Sequence, residues 1–436
     1  MRSLAGSNNA VAIAILLIVF FVLIFTGVHI MYAMLASSIL TALYLGVNLQ
    51  TMFMQILKGL NVYSLMAVPF FMLAGEVMMR GGITDRLVGL SQALVGWIRG
   101  SLAHVNIVAS ILFGSISGSS AADTASVGAM LIPLMEKEGY DTDFATDVTM
   151  ASSVEGMLIP PSHNMVIFAM AAGSVSIARL FMGGVFPGLL LAAVLGVYCY
   201  VVARKRNYPK GDKFNLKKAV SFFLHALPGL GTVLIVVVGV LAGIFTATEA
   251  AAFAVVYAFI IGLFVYKEIK FRDIPDILIK ALKTIGIIMM LIGCSSCFSW
   301  LVSYLNISTL LSNWILSVTT NKYLILLMMN IFLLICGMVM DMSAIILIVT
   351  PILLPIATSF GMDPANFCAM LILNLGIGLI TPPVGNTLFI GSAISGKSIG
   401  ELTKSMIPFY IMMGIALLLV TYVPAFSTFL PNLLGV

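Results

Sequence analysis

Two short stretches concentrate the polar chemistry of an otherwise apolar chain. "GSISGSSAAD" (114–123) crowds Ser115, Ser117, Ser119, Ser120 and Asp123 into ten residues with two glycines, and "CGMVMDMS" (336–343) offers Gly337, Asp341 and Ser343. Two further stretches interrupt apolar runs with paired prolines, "GMLIPPSHN" (156–164) and "GLITPPVGN" (378–386). Proline lacks an N–H and drives the preceding residue out of the α region. A helix must therefore stop near Gly156 and restart near Asn164, and another must stop near Gly378 and restart near Asn386. Each break leaves free carbonyls on one half-helix and free N–H groups on the next. Carbonyl ends suit Na⁺, and helix N-termini suit an anionic group. Hydroxyl and carboxylate oxygens are the hard ligands an alkali cation needs, and an ionisable residue at membrane depth is a functional hypothesis by default.

The elements that position these groups follow from composition. The chain has 436 residues, 61% hydrophobic and 9% charged, against roughly 25% charged in a soluble protein. Apolar runs at 10–28, 230–245, 284–302 and 407–423 approach or reach the ~20 residues of a spanning helix. The expected class is an all-α polytopic membrane protein in the lipid bilayer. The first apolar run exceeds the ~7–15 residues of a signal-peptide core and reads as a retained helix. The net charge of +5 is confined to a few loops, which excludes a nucleic-acid partner. The five cysteines lie in apolar surroundings. Cys294 and Cys297 have redox or zinc spacing but no accompanying Cys/His pair, so they read as packing residues.

Sliding the sequence by 222 positions superposes Pro133 on Pro355, Asp141 on Asp363, Gly156 on Gly378, both proline pairs, and Asn164 on Asn386. A shift of 216 aligns Gly27 with Gly243 and Gly46 with Gly262. The chain thus divides into a first repeat (1–203), a basic linker (204–227) and a second repeat (228–436). Lys and Arg mark the cytoplasmic side, and their bias swaps between the halves. With the N-terminus outside, five crossings and one re-entrant hairpin per half leave only Arg2, Lys58, Arg179 and Lys322 outside and the other 18 inside. Each half is expected to carry three crossings, a charged amphipathic segment (about 81–100; about 306–322), a hairpin (about 102–138; about 324–357), a broken helix (about 142–173; about 365–395) and a last crossing. Paired breaks in two inverted repeats, with a site between them, are the layout of secondary transporters.

"GSISGSSAADTASVGAMLIP", "EGMLIPPSHN" and "NLGIGLITPPVGNTLFI" resemble the large membrane subunit of tripartite ATP-independent periplasmic (TRAP) transporters across essentially the whole chain. The resemblance implies an elevator-type ion-transporter fold in the bacterial inner membrane, driven by co-transported Na⁺. It implies two partners, a small four-helix membrane subunit and a periplasmic substrate-binding protein, and small carboxylate substrates such as C4-dicarboxylates or sialic acids. Carried onto this sequence, one Na⁺ site would use Ser117, Ser119 and Gly156, and the other Gly337, Asp341, Gly378 and Thr381. The substrate would lie near Ser120, Ser162, His163, Asn164, Asn386 and Asp341.

Competing readings stand beside this one. A stand-alone Na⁺-coupled carboxylate transporter or antiporter would need no soluble partner. An intramembrane aspartyl protease would need Asp123 and Asp341 to share a site and a proton, but the repeat sets Asp341 opposite Ser119. Glycine and serine also serve as packing residues in membrane helices. Asp123 reads as a cap or ion-pair partner, Glu155 as a coupling or paired carboxylate, and Thr246-x-x-Glu249 as a capping box.

Overall fold

A computed structural model describes residues 2–173, 175–211, 213–307, 309–310, 319 and 321–436. These residues form helices joined by short turns, with no strand among them beyond one isolated bridge between Arg99 and Lys210. The first half runs through helices Arg2–Phe25, Ile30–Tyr44, Leu49–Leu60, Ala67–Arg80 and Ile83–Val95. Next come the hairpin arms Ser101–Ser117 and Ser120–Lys137, the broken helix (Thr142–Ser153, Glu155–Leu158, His163–Ala172) and the long helix Ile177–Lys205. The second half comprises Leu216–Leu241, Ala247–Ile260 and Ile274–Tyr304. Its hairpin arms are Lys322–Val339 and Met342–Ser359, and its broken helix is Pro364–Leu379 and Asn386–Ser395. Ile399–Ser405, Ile407–Tyr422 and Ala425–Leu434 complete it.

The 222-residue offset reappears in the helix ends. The second hairpin arms, Ser120–Lys137 and Met342–Ser359, are each 18 residues long and start from Ser119 and Asp341 as N-caps. The broken helices start from Asp141 and Asp363. The helices after the breaks start from Ser176 and Ser398, each hydroxyl accepting the N–H three residues on. The packing is exchanged between halves. Met342–Ser359 lies against the restarted half-helix His163–Ala172, and Ser120–Lys137 lies against Asn386–Ser395. Each hairpin is therefore anchored partly by the other half's break. Thr246 and Glu249 form the expected capping box.

Departures from the expected layout lie outside these modules. Six described helices are long and apolar enough to cross a bilayer, and Ile399–Ser405 with Ile407–Tyr422 makes a seventh if that pair, bent by 55°, is one span. Shorter apolar stretches of 10–17 residues accompany them, among them His163–Ala172 and Pro364–Leu379 of the broken helices. Where the second half has one 31-residue helix, Ile274–Tyr304, the first half splits into Leu49–Leu60 and Ala67–Arg80 around a 3₁₀ turn. Pro408, in the first turn after the 55° bend, lacks the N–H that would continue the preceding helix. The halves connect between Lys205 and Leu216, so helix extends into both ends of the expected linker. The segment expected over 81–100 holds Ile83–Val95; its counterpart over 306–322 lies largely outside the described residues.

Candidate functional site

The first hairpin turns at Gly118 with φ of +62°, its N–H donating to Gly114 O at 2.6 Å. Only glycine fits here. A Cβ would add left-handed strain and meet His163 Nδ1 at 2.6 Å. The Ser119 hydroxyl then accepts the Ala122 N–H at 3.3 Å and caps the returning arm. At the second tip the cap is Asp341, whose Oδ1 accepts the Ser343 N–H at 2.9 Å.

Each tip is tied to the break of its own half. Asn164 Nδ2 donates to Gly118 O at 3.0 Å, and the Val384 N–H donates to Met338 O at 3.1 Å. Just before each break an arm and a half-helix touch backbone to backbone. A Cβ on Gly156 would overlap Gly114 Cα, and one on Gly378 would come within 2.6 Å of Gly337 Cα. The glycines expected as ion ligands are thus also the crossing points that bring tips and breaks together. Both proline pairs, Pro160–Pro161 and Pro382–Pro383, are cis. At the second break Gly378 O accepts the Thr381 N–H at 3.0 Å, and Thr381 Oγ1 donates to Ile377 O at 2.6 Å.

A cavity of about 580 Å³ lies between the two tips and helices Ala67–Arg80 and Ile274–Tyr304. Of the residues singled out in the sequence, Ser117, Ser119, His163 and Asp341 line it, with Ser343 beside Asp341. Gly156, Gly337, Gly378 and Thr381 sit behind the tips rather than on the wall. Ser120, Ser162 and Asn164 are buried away from it, and Asn386 is exposed elsewhere. Ser120 bridges the breaks instead: its hydroxyl lies 2.6 Å from Ser153 Oγ and 2.9 Å from Thr387 Oγ1. The two interruptions are therefore neighbours, joined by three hydroxyls from both halves. Asp123 is absent from the lining.

Two charged residues on this wall escaped the sequence reading. Glu76 sits in the apolar helix Ala67–Arg80, and Lys280 Nζ approaches its Oε1 at 2.7 Å across the halves. The angle does not make an aligned hydrogen bond, so the contact is a charge pair. Glu76 carried a usable signal, an ionisable residue inside an apolar run. Lys280 carries no such mark, because it follows Lys267, Lys270 and Arg272 in a stretch that reads as a basic loop.

Behind the first tip, polar side chains link the hairpin to the broken helix. Asn106 Nδ2 donates to Thr149 Oγ1 at 2.5 Å, and Ser110 Oγ lies 2.9 Å from Ser152 Oγ. Asp123 and Glu155 are fully buried and within electrostatic range of each other. Ser110 is near Asp123, yet among the described residues no aligned hydrogen bond reaches any of the four carboxylate oxygens. The capping and pairing roles expected of Asp123 are not what it does here.

Residues 17–426 match the family described as Tripartite ATP-independent periplasmic transporter, DctM component. The chain is similar to the C4-dicarboxylate TRAP transporter large permease protein DctM of Rhodobacter capsulatus, at 37% identity over 95% of this chain and 97% of that one. It is similar to the Sialic acid TRAP transporter large permease protein SiaM of Vibrio cholerae serotype O1, at 36% identity over 93% of this chain and 94% of that one. Among solved structures it is similar in fold to the YdaH transporter of Alcanivorax borkumensis, with a TM-score of 0.65 and 14% identity over 86% of this chain and 88% of that one.

Proposed function

This chain belongs to the DctM-component family of tripartite ATP-independent periplasmic transporters, and we propose that it imports a small carboxylate, of C4-dicarboxylate or sialic-acid type, coupled to Na⁺. The observation that carries the proposal is the single cavity walled by both hairpin tips, with Ser117, Ser119 and His163 from one half and Asp341 from the other. Its oxygen ligands suit an alkali cation beside an organic anion.

In this reading the halves are inverted repeats, and the N-terminus is periplasmic. The hairpins and broken helices move as one body past the remaining helices, so that the cavity opens to one side at a time. A periplasmic binding protein delivers the substrate, and a small membrane subunit completes the permease. Na⁺ is co-transported cargo, held near the tips by Ser117, Ser119 and Asp341. Gly156, Gly337, Gly378 and Thr381 shape the backbone behind those ligands.

Uptake by proteoliposomes tests this. The chain, its small subunit and its soluble protein are reconstituted and offered a carboxylate panel with and without a Na⁺ gradient. Saturable, Na⁺-dependent uptake that needs the soluble protein is the expected result. Equal uptake without that protein favours the stand-alone transporter, and absence of uptake for every carboxylate overturns the proposal. The protease alternative has no support from the cavity, which takes Asp341 into its wall but not Asp123.

A further inference from the structure

We infer that Lys280 is the group that receives the carboxylate of the transported anion, with Glu76 holding its ammonium in place and tempering its charge. The inference rests on the proposed function and names the residue that selects an anion. Among the described residues lining the cavity, Lys280 is the one lysine or arginine; the fixed acids are Glu76 and Asp341, and His29 and His163 complete the titratable set. An anion entering a wall with two carboxylates needs a cation there, because like charges at close range in a low-dielectric site repel strongly.

Lys280 is placed to supply it. Its side chain is 60% exposed while that of Glu76 is 10% exposed, so the ammonium is reachable and the carboxylate sits behind it. An ammonium has three donors, and the Glu76 contact is not aligned as a hydrogen bond, which leaves N–H groups free to face an incoming carboxylate. The position faces the hairpin tips across the cavity, with Thr284 one turn further along the same helix. A substrate held by Lys280 therefore lies between the helix and Asp341, and a Na⁺ at Asp341 offsets the second negative charge. That arrangement gives a physical reason for cation and anion to bind together.

The test measures succinate and N-acetylneuraminate uptake by the full reconstituted complex, native and variant. Lys280→Gln is expected to raise the KM about tenfold or more, the effect of losing one charge-assisted hydrogen bond. Glu76→Gln keeps an acceptor for the ammonium but removes the competing charge, and is expected to lower the KM. The double exchange Glu76→Lys with Lys280→Glu restores an ion pair in reverse and is expected to stay impaired. A native KM in Lys280→Gln, a KM rise in Glu76→Gln matching that of Lys280→Gln, or native uptake by the exchanged pair would each show a brace and overturn the inference. If Lys280→Gln does not fold, the other two variants decide. A native complex that takes up neither anion overturns the functional reading, and the inference with it. Native uptake with unaltered variants overturns the role of Lys280 alone.

Discussion

The two hairpin-and-break modules share a backbone plan but place polarity differently. In the first, a ladder of Asn106, Thr149, Ser110 and Ser152 joins hairpin to broken helix, and two carboxylates are sealed beside it. In the second, the equivalent interface is mostly apolar and relies on one amide pair. There Asn374 Nδ2 donates to Asn330 Oδ1 at 2.8 Å, and Asn330 Nδ2 donates to Thr421 Oγ1 at 3.1 Å. The breaks differ likewise. Asn164 is buried and ties the first tip, whereas its counterpart Asn386 is exposed and the second tip is tied through the Val384 backbone. Beside the tips, the first module hides Asp123 and Glu155 in the interior, whereas the second presents Asp341 on the cavity wall. The same helix-breaking sequence can thus be stabilised either by side-chain hydrogen bonds or by apolar packing with backbone ties, and only the second leaves a carboxylate free to meet a ligand.

The shared part of the plan is the easiest to break. Gly156→Val and Gly378→Val each drive side-chain atoms into the backbone of the facing arm. Overpacking costs about 1–3 kcal/mol and more where the obstacle is backbone. Both variants are expected to lose most folded, monodisperse protein in detergent, and to similar extents. If one were tolerated, the modules would not share their crossing.

The unshared part is sharpened at the equivalent caps. Asn caps a helix about as well as Asp, so Asp341→Asn is expected to keep thermal stability while reducing Na⁺-driven uptake tenfold or more. Ser119→Ala removes a neutral cap worth about 1 kcal/mol and is expected to lower the denaturation temperature, with a smaller loss of uptake. Native uptake and Na⁺ dependence in Asp341→Asn would place the cation site elsewhere.

The interiors respond in opposite directions. Asn374→Leu leaves Asn330 Oδ1 without its donor inside the second module and is expected to cost about 1–3 kcal/mol. Asp123→Asn replaces a carboxylate with no aligned partner by a neutral amide of the same shape. Because an unpaired buried charge costs several kcal/mol, this variant is expected to leave thermal stability unchanged or raise it. Denaturation scans of the two purified variants check both signs, and a large loss in Asp123→Asn would mean that a positive ligand normally sits there.

What was legible in the sequence follows from locality. Proline pairs, crossing glycines and cap residues act on their own backbone, so caps such as Ser119 and Asp341, Asp141 and Asp363, and Ser176 and Ser398 stand 222 residues apart in both sequence and helix ends. Groups that meet across the fold left no such mark. Ser120 reads as a tip ligand but spends its hydroxyl on Ser153 and Thr387, the latter 267 residues away. Glu76 and Lys280 pair at a separation of about 200 residues, and neither has a local pattern naming the other. The splitting of the first half's third crossing around Tyr63–Met66 had only a faint mark: "VYSLMAVP" (62–69) reads as an apolar run, and its one break signal, the single Pro69, falls in the first turn of the restarted helix.

The smallest effect concerns how each broken helix begins. Asp363 pairs with Arg179 at 2.9 Å and also accepts the Ala365 N–H. Asp141 makes no such cap bond. It accepts the Tyr208 hydroxyl at 2.7 Å and the Arg206 guanidinium at 2.5 Å. The Tyr208 hydrogen bond foremost, with help from Arg206, holds the Asp141 carboxyl below its ordinary value of 3.8. A depressed carboxyl stabilises the folded state at pH above that ordinary value, and the contribution disappears as pH falls through the lower, folded value. The side chains are roughly half exposed, so solvent screening limits the pair to about 1 kcal/mol or less. Arg206→Gln is accordingly expected to lower the denaturation temperature slightly near pH 7, with the difference from native protein shrinking as the pH drops below 3.8 and as salt is added. Arg179→Gln, which also loses the hydrogen bond to Val436 O at 2.7 Å, is expected to cost more at pH 7. Equal losses in the two variants would mean that the modules begin alike despite their different caps.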